Sequence, residues 1–183
     1  MRKVTFMAMS LALIIVTTGA FAQGGNPADQ QFFNAHIGDL VKLNPTPLDN
    51  SSLSKVFPAK FYNVDVIVAG GSQKVLVARK GSDLVQVTMP STTADMPGFQ
   101  KLLNADFRLK SDEDAHTLQN ALDVLYPISS NFGGEDAKAK TIKHTGNEWT
   151  FVRGKFFEHF KGFVFTTNAD GVITNVKYSL DIK

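Results

Sequence analysis

The chain of 183 residues contains no cysteine. This absence excludes disulfide bonds, thiol catalysis, thiolate metal sites and lipid attachment to an N-terminal cysteine. The stability of the protein must therefore come from an ordinary hydrophobic core. A chain of this size can build such a core, because it buries roughly two-thirds of the surface that its unfolded form exposes.

The sequence also lacks a charge excess outside its first few residues. It contains 19 basic and 17 acidic residues, and without Arg2 and Lys3 the two numbers become 17 and 17. A neutral domain without a basic tail does not have the electrostatic footprint of a nucleic-acid-binding protein. We therefore expect no nucleic-acid partner.

Long hydrophobic runs are missing everywhere except near the N-terminus. There, a positively charged pair precedes the apolar run Val4 to Val16, and Ala20-Phe21-Ala22 has the small-x-small pattern of a signal peptidase site. The run is shorter than the roughly 20 residues that span a bilayer. We therefore predict a secretory signal peptide at residues 1–22 and one exported domain at residues 23–183, periplasmic or secreted, without an integral membrane span.

Strong catalytic motifs are absent too, among them H-E-x-x-H, G-x-S-x-G, the Walker loop and G-x-G-x-x-G. Asp112 and His116 are four residues apart, which is a metal-ligand spacing on one face of a helix. Asp112 and Asp114 have a simpler role, however, as capping and dipole residues of a helix N-terminus. We therefore assign no catalytic residue, no metal ligand and no cofactor from the sequence.

The pattern of apolar residues indicates two main helices and two groups of strands. Asn26-Pro27 begins the first helix, and a capping box of Ser111 and Asp114 begins the second. Alternation from Lys60 onward predicts a three-stranded meander. The expected fold is α+β, with an antiparallel sheet of about seven or eight strands and two helices packed on one side. The later strands are predicted near residues 140–144, 148–157, 161–167 and 172–182.

The two halves of the chain follow the same order of a helix, a loop and three or four strands. This order suggests a pseudo-repeat, with a subdivision of the domain into residues 27–90 and 99–183. The halves show no convincing residue identity, so the repeat is a hypothesis about structure alone.

The stretch FVRGKFFEHFKGFVF, residues 151–165, contains six phenylalanines and five ionisable side chains. A strand period of two places Trp149 and Phe151 on one face before Gly154, and Phe163 and Phe165 on one face after it. Large aromatic side chains are usually buried, so we expect these four in the core.

The middle of this stretch, residues 154–162, has two interpretations. Its aromatic side chains could form a second small core cluster under a loop, which is the commoner fate of clustered phenylalanines. They could instead form an aromatic and partly basic docking surface, since interfaces favour aromatic residues and arginine. A membrane-surface role is disfavoured, because no sustained amphipathic helix is present. The candidate binding residues are Arg153, Lys155, Phe156, Phe157, His159 and Phe160.

Three functions remain open at this point. The first is a non-enzymatic exported binding module that holds a protein or peptide partner through a sheet face and the loop at residues 154–162. The alternative is a carrier of a small apolar ligand or lipid in a cavity lined by phenylalanine. The third is an enzyme with a small pocket that uses His159 or His36 as an acid–base group.

Overall fold

The computed structural model describes residues 26–37, 45–68, 71–87, 90–127, 140–156 and 159–182. The predicted signal peptide, residues 1–22, lies outside them. Within the described parts of the chain, no helix is both long enough and apolar enough to cross a membrane. The helices are α1 (Pro27–Ile37), α2 (Ser51–Val56), α3 (Pro97–Gln100) and α4 (Asp112–Leu125). The strands are β1 (Pro45–Pro47), β2 (Lys60–Val68), β3 (Gly71–Lys80), β4 (Asp83–Gln86), β5 (Ala94–Asp95), β6 (Thr141–Thr145), β7 (Glu148–Phe156), β8 (His159–Thr167) and β9 (Ile173–Ile182).

The strands form two sheets. The first has the order β1-β2-β3-β4, and the second has the order β5-β9-β8-β7-β6. By its contacts, the chain divides into two compact units: the residues up to Thr46 together with Asn63–Val75, and a larger unit of Pro47–Tyr62 and Leu76–Lys183. All the surfaces and clefts discussed below belong to the larger unit.

Helix α4 begins at the predicted capping box. The Ser111 hydroxyl accepts a hydrogen bond from the backbone N–H of Asp114, whose carboxylate accepts one from the backbone N–H of Ser111. Partial burial raises the pKa of Asp114, but the bonds from Ser111 and Lys110 outweigh it and lower that pKa overall. One apolar stripe of the helix is buried, and its members are Ala115, Leu118, Ala121, Leu122 and Leu125.

The five-stranded sheet has two irregularities at the same level of β8. Between Val152 and Lys155, β7 carries one residue more than β8, and the pairing of β8 with β9 shifts beside Gly162 as well. Gly154 lies in the first bulge, with a φ of 138° that side chains with a Cβ rarely adopt. Gly162 lies inside β8, opposite Val152 and Ser179.

The core of the larger unit is built around Phe163 of β8. Its ring centroid lies 5.3 Å from those of Tyr126 and Tyr178, and 6.0 Å from that of Phe99 in α3. Cross-strand pairs of aromatic residues add to this cluster. The four side chains expected in the core are all buried: Trp149, Phe151, Phe163 and Phe165.

The expected α+β class is confirmed, with nine strands in two antiparallel sheets and four helices in the described parts of the chain. The strand count exceeds the expected seven or eight. The extra strands, β1 and β5, have three and two residues and are too short to show a period.

A helix precedes an antiparallel meander twice, as α2 before β2-β3-β4 and as α4 before β6-β7-β8-β9.

Candidate functional site

Arg153 of β7 is a charged side chain in the core. Only 4% of it is exposed, and its guanidinium donates hydrogen bonds to the carboxylate of Asp123 and to the backbone carbonyl of Tyr126. The other carboxylate oxygen of Asp123 accepts a bond of 2.7 Å from the ammonium of Lys140. Burial lowers the pKa of Arg153, and the negative charge of Asp123 opposes that effect.

Two tyrosines lie close to this guanidinium. Burial raises the pKa of Tyr126 and of Tyr178, and the positive charge of Arg153 partly opposes the rise for both. Among the described residues, neither the Tyr126 hydroxyl nor Nε of Arg153 has a hydrogen-bond partner. An orphaned polar atom in the interior normally costs free energy, so these two atoms are the least well satisfied part of the core.

The six candidate binding residues are distributed between interior and surface. The side chain of Arg153 is buried, so it does not lie on an exposed surface. His159 is 63% exposed, and its Nδ1 lies 3.3 Å from the Asp181 carboxylate; Phe160 beside it is half-buried. The side chains of the other three lie outside the described part of the structure: Lys155, Phe156 and Phe157. A binding role for these residues stays a prediction.

The face of the five-stranded sheet that points away from the aromatic core has a polar centre. Cross-strand pairing places Lys143 of β6, Thr150 of β7, Val164 of β8 and Lys177 of β9 in one row. The two lysines are exposed, and the threonine and valine are half-buried. We call this row and its neighbours the outer face. Phe160 is four residues before Val164 on the regular strand β8, so both side chains belong to this face.

A polar cleft of about 300 Å³ lies between the first turns of α4 and strand β6. His116 donates from Nδ1 to the Asp112 carbonyl at 2.6 Å, and His144 donates from Nε2 to the Gly146 carbonyl at 2.9 Å. The His144 ring also stacks on Trp149, with centroids 3.8 Å apart. The cleft is lined by Asp112, His116, Gln119, Lys140, Ile142, His144 and Trp149.

A second cleft, of about 230 Å³, is mainly apolar. Met96, Phe99 and Leu102 form one wall, and Val85 and Val87 belong to another. Tyr126, whose hydroxyl is one of the orphaned atoms, also lines this cleft. The arrangement could hold a small apolar group.

The comparisons with known proteins give no relative. No protein-family model, no curated protein and no solved structure matches this chain. Within the described residues, no three side chains of His, Cys, Asp or Glu are close enough together to bind a metal ion.

Sequence reasoning identified only part of these surfaces. The spacing of Asp112 and His116 was visible, but the partner across the cleft, His144, was not connected to it. The short sequence Thr145-Gly146-Asn147-Glu148 predicts a two-residue hairpin turn, and that turn pairs His144 with Trp149. His36 and His159 line neither of the two clefts: His36 is exposed and stacks on Phe32.

Proposed function

We propose that the protein is an exported binding module that holds a protein or peptide partner on the outer face of its five-stranded sheet. The observation that carries this proposal is the row Lys143, Thr150, Val164 and Lys177 on four adjacent strands. Strands are about 4.8 Å apart, so the row spans roughly 14 Å. This width suits a contact with a folded partner or a bound segment.

The chemistry of the row supports a protein partner. Val164 and the methyl group of Thr150 form a small apolar centre, and the exposed ammonium groups of Lys143 and Lys177 flank it. Protein interfaces combine an apolar centre with a polar rim in this way. The partner is expected to present an apolar group with acidic residues beside it. Phe160 extends the same face towards the end of the β7–β8 hairpin.

Site-specific photocrosslinking in the organism that produces the protein tests this proposal. A photoreactive amino acid at position 164 should give a crosslinked product of one discrete mass, and the same group at the exposed helix position Glu113 should not. Lys177→Glu should lower the yield at position 164 by about fivefold or more, because it reverses a charge on the rim. Equal products from positions 164 and 113 would show that the face is not a specific binding surface.

We propose carriage of a small apolar ligand as the second candidate function. The apolar cleft beside Phe99 and Leu102 supports it, since 230 Å³ exceeds the roughly 150 Å³ cavity that accepts benzene in other proteins. Native mass spectrometry of the purified protein should then show an added mass, which Val87→Phe should abolish by filling the cleft. A protein without added mass, and without affinity for benzene or indole, would eliminate this candidate.

A further inference from the structure

The two edge strands of the five-stranded sheet differ in how their outward backbone groups are covered. Along β9, the Val176 carbonyl accepts from the Met96 N–H at 2.7 Å, and the Thr174 carbonyl accepts from the side-chain amide of Gln100 at 2.7 Å. Further along the same edge, the Leu180 N–H donates to the Thr93 hydroxyl. The loops around β5 therefore close this edge. At the other edge, β6 pairs with β7 alone among the described strands.

The register of the β6–β7 hairpin identifies which groups lie at that second edge. Gly146 and Asn147 form a two-residue turn, so the flanking residues Thr145 and Glu148 exchange backbone hydrogen bonds with each other. Hydrogen-bonded and non-hydrogen-bonded pairs alternate along antiparallel strands, so Lys143 is also in a hydrogen-bonded pair. The pairs between and beyond these do not exchange backbone hydrogen bonds. The backbone N–H and C=O of Ile142 and His144 therefore lie along the edge and face away from β7.

The polar cleft adjoins this edge. Ile142 and His144 line it from the strand, while His116 and Gln119 line it from helix α4. A groove between a helix and an edge strand can accept an extended peptide, whose backbone adds a strand to the sheet and whose alternate side chains enter the groove. Ile142 and His144 can thus contribute both backbone and side-chain contacts.

The charges around the edge select the chemistry of the peptide. Lys140 lines the groove with its ammonium bound to Asp123, and Asp112 is the carboxylate of the lining. Lys143 lies on the edge strand itself, so a residue that pairs with it across the edge would meet its ammonium group. A second copy of this chain, paired antiparallel about Lys143, would bring two lysines opposite each other, which destabilises a strand pair. An acidic strand does not have this conflict.

We propose that the groove between α4 and β6 binds an extended acidic segment of a partner protein by strand addition to Ile142 and His144. The proposal adds a second binding surface to the module. Lys143 belongs to both surfaces, but the crosslinking test at position 164 and the test below measure different contacts, so either proposal can fail without the other.

Two variants at one position separate backbone from side-chain binding. His144→Ala removes the imidazole and keeps the backbone N–H. His144→Pro removes the N–H as well, and proline is tolerated in an edge strand where that group faces outward. The fold of both variants is checked by the cooperativity of their urea denaturation, because both lack the imidazole that stacks on Trp149.

The probe is an acetylated and amidated heptapeptide of alternating threonine and glutamate, added to the purified full-length protein. It should slow amide hydrogen exchange at Ile142 and His144 by about tenfold or more, as expected for new backbone bonds. It should bind His144→Pro about tenfold more weakly than His144→Ala. The same peptide with lysine in place of glutamate should not bind.

Several outcomes would overturn the proposal. Equal binding of the glutamate and lysine peptides would show that charge does not select the occupant. Equal binding to the two variants at position 144, or unchanged exchange at Ile142 and His144, would show that no strand is added. Dimerisation of the protein alone, lost in His144→Pro, would assign the edge to a second copy of this chain. If His144→Pro does not fold, the exchange measurement on the unaltered protein decides.

Discussion

The two faces of the five-stranded sheet are made by alternate residues of the same strands, yet they have opposite chemistry. On β8, Phe163 and Phe165 are completely buried, while Val164 between them and Thr166 after them remain partly exposed. The buried face is mainly aromatic, and among the described residues Arg153 is its one fully buried charged side chain. The outer face has lysine and threonine around Val164 in its central row, and it becomes apolar towards the end of the β7–β8 hairpin, where Val152 and Phe160 lie. Stability should therefore depend on one face and binding on the other.

The largest expected effect comes from the centre of the aromatic face. Phe163→Ala removes a ring that contacts Phe99, Tyr126 and Tyr178, and it should lower the free energy of unfolding by about 3–5 kcal/mol. Val164→Ala is the matched control on the opposite face, with an expected cost of about 1 kcal/mol or less. Urea denaturation of the two variants measures the difference. Similar losses at both positions would mean that the outer face is covered in solution.

The next effect concerns the charge on the aromatic face. Asp123→Asn leaves the buried guanidinium of Arg153 without its counter-ion, and the free energy of unfolding should fall by about 3 kcal/mol. Lys140→Ala removes the other partner of the same carboxylate. Since 42% of the Lys140 side chain is exposed, that variant should lose less than about 1 kcal/mol. A loss for Lys140→Ala as large as that for Asp123→Asn would contradict the assignment of Arg153 as the structural partner.

Gly162 is the position on the outer face where a substitution should destabilise the fold. A Cβ added at Gly162 would lie 1.9 Å from the Phe151 carbonyl oxygen, so Gly162→Ala must displace backbone. We expect a loss of about 2 kcal/mol. At Gly98 in α3, an added Cβ meets nothing within 4 Å, and Gly98→Ala should be neutral or stabilise by up to about 1 kcal/mol. Thermal denaturation compares the two, and equal melting temperatures would disprove the close approach.

The features that depend on interactions between residues close together in the chain could be predicted from the sequence. The capping box of Ser111 and Asp114 and the four strands predicted after residue 140 follow from hydrogen bonding and from the alternation of apolar residues, and all of them are present. The burial of Phe151 and Phe163 follows from the same alternation. Arg153 is on the same side of β7 as Phe151 by this alternation, but its ion pair with Asp123, 30 residues away along the chain, does not follow from any local pattern.

The clefts could not be predicted for a related reason. The polar cleft needs α4 and β6 to lie side by side, and no local pattern gives that arrangement. The docking interpretation of residues 154–162 rests on interleaved aromatic and basic residues, and it stays a prediction. Such a pattern does not show that β7 continues to Phe156 with a bulge at Gly154, because a bulge depends on how β7 pairs with β8.

The smallest expected change in stability tests whether the aromatic face contains buried water. Tyr126→Phe removes a buried hydroxyl that has no partner among the described residues, so the protein should become more stable by up to about 1 kcal/mol. Tyr178→Phe is the matched control, because its hydroxyl is not one of the orphaned buried atoms. Chemical denaturation at neutral pH measures both.

Alkaline pH should enlarge the difference in stability between Tyr126→Phe and the unaltered protein. Burial raises the pKa of Tyr126 above its ordinary value of 10.0, so the folded state holds the phenolic proton more tightly than the unfolded state. This stabilisation is complete below pH 10 and is lost as the pH rises from there towards the folded-state pKa. Tyr126→Phe should therefore lose less stability above pH 10 than the unaltered protein. If the variant is instead less stable at neutral pH, the hydroxyl has a buried water as its partner, and the aromatic face contains a polar pocket rather than a continuous apolar core.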